Sequence, residues 1–279
     1  MSEPLPSQVT GAAAQPRESG IGETIKVVLQ ALAIAIVVRT FLFQPFNIPS
    51  GSLVPTLLVG DYLFVSKYSY GYSKHSFPFS PDFFQGRVFG ASPKRGDIVV
   101  FKLPRDGQTD YIKRVIGLPG DKIQMIDGRL YVNGKLTPRQ EITPSYITPD
   151  AFGKDGPVTT YNETLPDDAM QPSGVTHRVI ERDGDRGTLD NTNVFEVPAG
   201  KYFMMGDNRD NSTDSRVPME SGVGFVPFEN IVGRAEIIFF SIKTKPGPPG
   251  ANGDLTEPAW QFWRWPWTVR WERLFQTVH

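Results

Sequence analysis

The pattern of apolar and polar residues separates one long apolar stretch from a region of short alternating runs. Residues 25–43, IKVVLQALAIAIVVRTFLF, carry two charged side chains, Lys26 near the start and Arg39 near the end. This length approaches the roughly 20 residues that span a bilayer. Basic side chains at the two ends can reach the lipid headgroups. The stretch predicts a single transmembrane helix, placed at residues 24–43.

A buried core helix and a cleaved secretory signal are the two alternatives for this stretch. Residues 1–20 are small, polar and proline-containing, so they offer nothing that would bury a core helix. The bulky FLFQPFNIP at positions 41–49 contains no small-residue cleavage site. We therefore expect residues 1–23 to form a disordered tail ahead of the span.

Beyond the span, glycine, proline and Asn-Gly or Asp-Gly pairs separate short runs rich in Val, Ile, Phe and Tyr. This is typical of strands, and Asp127-Gly128 and Asn133-Gly134 predict tight hairpin turns. The fold class is therefore mostly β, with a β domain over residues 44–258. The candidate strands are Tyr62–Tyr68, Asp97–Lys102, Tyr111–Ile116, Lys122–Ile126, Arg129–Val132, Val194–Val197, Lys201–Met205 and Ile231–Ile242.

Four segments depart from the strand pattern. Residues 68–93 are crowded with aromatics, glycine and proline, which predicts a long ordered loop. Residues from about 136 to 190 are polar and proline-rich, which predicts an insertion into the sheet domain. Residues 243–258 read as a flexible linker. Residues 259–279 contain all five tryptophans together with arginines, and they either touch the membrane interface or dock on the protein's own apolar surface.

Composition excludes several functional classes. The formal net charge of -1 gives no reason to expect a nucleic-acid partner. The absence of cysteine excludes disulfides, thiolate catalysis and cysteine zinc sites. The acidic run at 205–216 is no calcium loop, because Arg209 and Pro218 stand where ligands are required. We expect neither a metal nor a cofactor.

Three clusters carry residues capable of chemistry. Ser50 and Ser52 flank a glycine between two prolines, which can hold a hydroxyl rigidly. Lys113 lies in an apolar strand-like run, where loss of hydration would lower the pKa of its ammonium group. The run MGDNRDNSTDSR at 205–216 is dense in hydrogen-bonding groups. Taken singly, each has an ordinary structural explanation: a loop serine, a solvent-facing lysine and a polar network.

Together, these clusters resemble the sequence boxes of bacterial type I signal peptidases. The resemblance covers SGS-x-x-PT from Ser50, RGD-x-V-x-F from Arg95, YIKR-x-x-GLPGD from Tyr111, GDNRDNS-x-DSR from Gly206, GFVP and then VGRAE. Six boxes in this order downstream of a span are hard to obtain by chance. The family implies packed antiparallel sheets with a smaller inserted region, which agrees with the strand pattern.

The resemblance also implies a role for each matching residue. Ser52 is the expected nucleophile and Lys113 the general base, while the Ser52 N–H and the Ser50 hydroxyl form the oxyanion hole. Ser212 orients the lysine. Structural support is expected from Gly206, Asp207, Asn208, Asp214 and Arg216. The histidines, His75, His177 and His279, lie outside every box and are expected at the surface or in loops.

The expected substrates are exported preproteins cleaved after an Ala-x-Ala type site. Shallow apolar pockets would admit alanine, and family position assigns them to Phe46, Ile48, Leu53, Tyr111 and Ile112. Leu53 replaces the methionine common in the family, which puts fine selectivity in doubt. The resemblance implies a single-pass protein of the bacterial inner membrane, with the tail at residues 1–23 in the cytoplasm and the catalytic domain on the outer, periplasmic face. The bilayer is then a partner. The sequence does not indicate an oligomeric state.

Two other functions compete with this interpretation. A self-cleaving repressor is another Ser/Lys peptidase of similar β architecture, but it would carry a DNA-binding helix-turn-helix where this chain has a membrane span. A membrane-anchored β-rich scaffold would make Ser52 and Lys113 incidental. An inactive relative should have lost Ser52, Lys113 or Ser212, and all three are present.

Overall fold

The computed structural model describes residues 20–82, 84–142, 158–167, 174–182, 184, 186–245, 255–256 and 262–278. The chain divides into two compact units, Met1–Val37 and Val38–His279. In the first unit, helix α1 covers Ile21–Val37 and buries none of its side chains. The helical stretch Ile21–Leu42, which ends in a π-helical turn, is long and apolar enough to cross a membrane. The predicted disordered tail lies largely outside the described residues.

The second unit is built from short strands. They are β1 (Phe43–Asn47), β2 (Asp61–Ser66), β3 (Ile98–Lys102), β4 (Asp110–Gly117), β5 (Lys122–Ile126), β6 (Arg129–Val132), β7 (Lys135–Leu136), β8 (Arg139–Ile142), β9 (Thr159–Thr164), β10 (Thr176–Glu181), β11 (Phe195–Glu196), β12 (Lys201–Met205), β13 (Val226–Pro227), β14 (Ile231–Ser241), β15 (Thr244–Lys245) and β16 (Leu255–Thr256). The mostly β fold class is confirmed. All eight predicted strands are present, with bounds that agree within two residues.

Within the described residues, the main sheet has seven strands in the order β1-β2-β14-β3-β4-β12-β13. Every neighbouring pair is antiparallel. Strand β3 shows why both faces of this sheet are covered: Ile98 and Val100 belong to one hydrophobic cluster, while Val99 and Phe101 belong to another. A strand buried on both faces reads as a continuous apolar run, as IVVF does here.

The β5-β6-β7 hairpins pack beside the main sheet and form a second sheet with β11. Both predicted turns are confirmed, since Asp127, Gly128, Asn133 and Gly134 all have positive φ, between 47° and 74°. Two consecutive residues in that region give the turn whose twist matches a hairpin.

The region predicted as an insertion contains a third sheet, in the order β10-β9-β8. Its strands were missed because their sequences, such as RQEI and TTYNET, are polar and lack an apolar alternation. Residues 143–157 and 168–173 of the insertion lie outside the described residues. Residues 243–258, predicted as a flexible linker, form two short strands near their ends, because β15 pairs with β16.

The described part of the C-terminal tail docks on the protein. Arg270 donates to the Val59 carbonyl at 2.9 Å, and the Val278 N–H donates to the Glu236 carbonyl at 2.9 Å. Three tryptophans nevertheless remain more than half exposed: Trp263, Trp267 and Trp271. Docking on the protein's own surface therefore holds for part of the tail, and membrane contact by the exposed rings stays a prediction.

Candidate active site

Ser52 lies in a single 3₁₀ turn, Gly51–Leu53, in the connection between β1 and β2. Asn208 holds this turn from two sides: its N–H donates to the Ser52 carbonyl at 3.1 Å, and its side-chain amide donates to the Gly51 carbonyl at 3.0 Å. Ser52 is 6% exposed. The turn is therefore fixed by a contact that is distant in sequence, and the hydroxyl has a defined position.

Lys113 approaches Ser52 from strand β4. Its Nζ lies 2.6 Å from the Ser52 Oγ and 3.1 Å from the Ile112 carbonyl oxygen. Burial lowers the pKa of the Lys113 ammonium group from 10.5 to about 8, and the nearby Asp214 and Asp207 only partly oppose this effect. A lysine with such a pKa is neutral in a fraction of the molecules near neutral pH, and that fraction can act as a base.

The neighbouring Arg114 pairs with Asp207, a carboxylate whose charge would otherwise raise the pKa of Lys113 further. Adjacent residues of a strand point to opposite faces, and Arg114 donates to both carboxylate oxygens of Asp207 at 2.8 Å. In the described part of the chain, Lys113 has no comparable ion pair. The nearest carboxylate charges are thus committed to arginines, and the lysine is left buried without a counter-ion.

Asp214 is likewise neutralised by an arginine. It accepts from Arg216 at 2.9 Å on each oxygen and from the Gly206 N–H at 3.0 Å. A Cβ built on Gly206 would lie 2.4 Å from the Ser52 carbonyl oxygen and 2.3 Å from the Ser212 Oγ. Because Gly206 has no Cβ, the Ser52 carbonyl and the Ser212 hydroxyl can both pack directly against its Cα.

Ser50 and Ser212, the two serines expected to assist, lie near Ser52 but do not bond to Lys113. The Ser50 Oγ is 3.4 Å from the Ser52 Oγ and Ser50 is exposed. Ser212 is 8% exposed. Among the described residues, the hydrogen-bond partners of Lys113 Nζ are Ser52 and Ile112, and the Ser212 hydroxyl is not one of them.

Sequence comparison places this arrangement in a family. A family model described as "Signal peptidase, peptidase S26" matches residues 21–240. The chain belongs to the signal peptidase family. It is 48% identical over 219 residues to a signal peptidase I of Rickettsia typhi, with 76% of this chain and 77% of the relative covered. It is 46% identical over 218 residues to a signal peptidase I of Rickettsia conorii, with the same shares covered.

A solved signal peptidase I structure from Enterococcus faecalis also matches. It is 28% identical, with a TM-score of 0.28, and the match covers 52% of this chain and 97% of that chain.

The residues assigned to the substrate pocket by signal peptidase family position fall into two groups. Phe46, Ile48, Leu53 and Ile112 belong to one hydrophobic cluster. Tyr111 packs with a different cluster, and its ring centroid lies 5.4 Å from Lys113 Nζ. The structure thus brings four of the five side chains together and places the fifth against the lysine.

A buried ionic network beneath the site was missed at the sequence level. Arg209 pairs with Glu163 of β9, and His177 of β10 lies 3.6 Å from Glu163 and 3.8 Å from Asp207. Arg114 completes the network through Asp207. The sequence did contain one signal for this network: Arg114 and Arg209 lie within the family's sequence boxes. A buried arginine requires a carboxylate partner, so these two arginines indicate buried ion pairs.

The expectation that the histidines lie at the surface or in loops is wrong for His177, while His75 does lie in a loop but is buried there. His177 is 5% exposed on strand β10, and His75 is 7% exposed in a 3₁₀ turn, Lys74–Ser76. Burial lowers the pKa of His177 to about 4, so its ring stays neutral between two carboxylates. His279 lies outside the described residues.

Proposed function

We propose that this chain is a membrane-anchored serine endopeptidase that removes signal peptides from exported preproteins, with Ser52 as nucleophile and Lys113 as general base. One observation carries the proposal: a buried lysine with a pKa of about 8 lies 2.6 Å from a buried serine hydroxyl. A serine hydroxyl is a weak nucleophile until a neighbouring base removes its proton. A neutral Lys113 is such a base.

In the proposed first step, the Ser52 Oγ attacks the scissile carbonyl while the Lys113 amine accepts the hydroxyl proton. The resulting ammonium then donates that proton to the leaving amine of the mature protein. A water molecule, deprotonated by Lys113 in its neutral form, hydrolyses the Ser52 acyl-enzyme and restores both groups. The cycle needs neither a histidine nor a metal.

The negative oxygen of the tetrahedral intermediate requires hydrogen-bond donors. Among the described residues, the Ser52 N–H donates no hydrogen bond to a backbone carbonyl outside its own 3₁₀ turn, and it is the first donor that we propose. The Ser50 hydroxyl, close to the Ser52 Oγ and exposed, is the second donor that we propose. Ser212 supports the site at the Gly206 position, and its role as the group that orients Lys113 remains a proposal.

The substrate preference follows from the apolar cluster next to the nucleophile. Ile48 and Leu53 are 2% and 1% exposed, with Phe46 and Ile112 packed against them. Side chains packed this closely leave shallow pockets, which accept alanine more readily than larger residues. We propose cleavage after an Ala-x-Ala type site.

We propose that the membrane anchor holds the site near the bilayer. Eight residues separate Phe43 from Ser52, and a fully extended chain of that length reaches about 30 Å at most. We propose that the span predicted at residues 24–43 is the helical stretch Ile21–Leu42, and that the catalytic β domain follows it from Phe43, the first residue of β1, to residue 258. The exposed tryptophans of the tail at 259–279 would touch the membrane. The catalytic domain would face the periplasm, where signal peptides emerge from the inner membrane.

The test is cleavage of a labelled precursor carrying an Ala-x-Ala site by the full chain in detergent, with the new N-terminus of the product mapped. Wild type should cut after the final alanine. Ser52→Ala should lose all cleavage, while the matched variant Ser50→Ala should lose about 10²-fold to 10³-fold, the cost of one oxyanion-hole donor. A folded Ser52→Ala variant that still cleaves at this site would favour the scaffold interpretation.

A further inference from the structure

A cationic cavity of about 550 Å³ lies outside the active site. It opens among the π-helical turn Val38–Leu42, the loop after β2 and the connection between β3 and β4. The charged side chains among its described lining residues are Arg39, Lys67, Lys102 and Asp110, together with the titratable His75. The charged side chains of the cavity are therefore predominantly basic, beside an apolar part lined by Phe77, Phe79 and Val232.

The positive charge of this cavity is only partly compensated. Lys102 Nζ pairs with Asp110 at 2.9 Å, and Asp110 is the one carboxylate among the described lining residues. Lys67 is 2% exposed, and its Nζ donates to the Ser76 carbonyl. Within the described part of the chain, neither Lys67 nor Arg39 has an ion-pair partner. Arg39 and Lys67 thus face a cavity whose single described carboxylate, Asp110, is paired with Lys102.

The energetic consequence is visible at Lys67. Its burial, followed by the charge of Arg39, lowers the pKa of its ammonium group to about 8. A buried cation without a counter-ion is destabilising, and an anion bound in the cavity would remove that penalty. The fork of an arginine and the ammonium of a lysine are both suited to phosphate oxygens.

The surroundings of the cavity favour a lipid source for such an anion. Arg39 belongs to the apolar helical stretch Ile21–Leu42, which is long enough to cross a membrane. Phe79, which also lines the cavity, is fully exposed. An exposed aromatic ring beside basic side chains at the end of a span is typical of the headgroup layer.

We propose that this cavity binds a phosphate group between Arg39 and Lys67, and that a phospholipid headgroup supplies it. The interaction would tie the aromatic loop and the end of the helical stretch to the membrane surface. It is independent of the peptidase reaction, so its test does not depend on cleavage.

The experiment compares the full chain with Arg39→Gln, Lys67→Gln and the double variant. A matched double variant, Lys122→Gln with Lys135→Gln, removes the same charge from exposed positions on β5 and β7. Phosphatidylglycerol in mixed micelles is the lipid probe, and native mass spectrometry counts the molecules retained. Inorganic phosphate, added at constant ionic strength, is the second probe, and the shift in unfolding temperature is its readout.

We expect about tenfold weaker retention of phosphatidylglycerol for each cation removed, the size of a charged hydrogen bond, and wild-type retention by the matched variant. A second outcome is that only the cavity variants lose the phosphate-induced rise in unfolding temperature, while all variants retain phosphatidylglycerol equally. That result would support the phosphate site but overturn the lipid as its ligand, and a soluble phosphate compound would take its place. Equal losses in both double variants, or no loss in either assay, would overturn the proposal. Arg39→Gln keeps the test decisive if the buried Lys67→Gln fails to fold, because Arg39 is exposed.

Discussion

Replacing Lys113 with methionine should abolish cleavage and yet make the folded protein more stable at neutral pH. Methionine preserves most of the apolar volume of the lysine stem but carries no charge. Burial lowers the lysine pKa from 10.5 to about 8. Since each factor of ten in proton affinity is worth about 1.4 kcal/mol, burying the charged form costs the native state about 3 kcal/mol.

The pH dependence of this gain follows from proton linkage. Below pH 8 the lysine is charged in both the folded and the unfolded chain, so the folded state carries the full penalty. Between pH 8 and 10.5 the unfolded chain binds more protons, and wild-type stability rises with pH. Lys113→Met should therefore be about 3 kcal/mol more stable than wild type at pH 7, and the difference should vanish above pH 10.5.

Guanidinium unfolding of both proteins in the same detergent, at neutral pH and above the ordinary lysine pKa, measures the difference. The wild-type kcat/KM supplies a second readout: it should rise about tenfold per pH unit below the Lys113 pKa and then level off. Two results together would refute the claim that Lys113 acts as a neutral amine. They are a methionine variant no more stable than wild type at neutral pH and a wild-type kcat/KM that does not change with pH.

Three further changes have defined consequences. Gly206→Ala would place a Cβ 2.4 Å from the Ser52 carbonyl oxygen, and the displaced nucleophile should cost about 10²-fold in kcat, measured by precursor cleavage. Glu163→Gln leaves Arg209 buried without its carboxylate, and chemical unfolding should show a loss of about 3–5 kcal/mol. Trp267→Ala removes an exposed ring of the C-terminal tail, and vesicle sedimentation should show weaker membrane binding; an unchanged affinity would leave the tail without a membrane role.

Strand positions were predictable here where burial imposes an apolar pattern. The run at Ile98–Lys102 is buried on both faces, and the glycine-containing turns need positive φ, so both leave a clear signal in the sequence. Strand β9 leaves no such signal, because its polar residues serve a buried ionic network. Glu163 on this strand is paired with Arg209, and no local pattern records a partner that distant.

In the site, too, the sequence motifs identify the residues but not the contacts between residues that are distant in sequence. The resemblance to a family pointed to Ser52 and Lys113 by motif, whereas strand alternation alone favoured a solvent-facing lysine. The pKa of Lys113 depends on its burial and on the neighbours around it. Arg114 forms an ion pair with Asp207, and Arg216 forms one with Asp214. These pairings join residues from separate strands and loops, and a one-dimensional pattern does not record them.

The most direct test of the Ser52 and Lys113 pair is to trap the acyl-enzyme. A slowly hydrolysed ester of an Ala-x-Ala peptide is mixed with the full chain, the reaction is stopped in acid, and the modified peptide is identified by mass spectrometry. We predict one adduct, on Ser52, that forms in wild type and is absent from Lys113→Met at neutral pH. An adduct on another residue, or one that forms equally fast without Lys113, would contradict it.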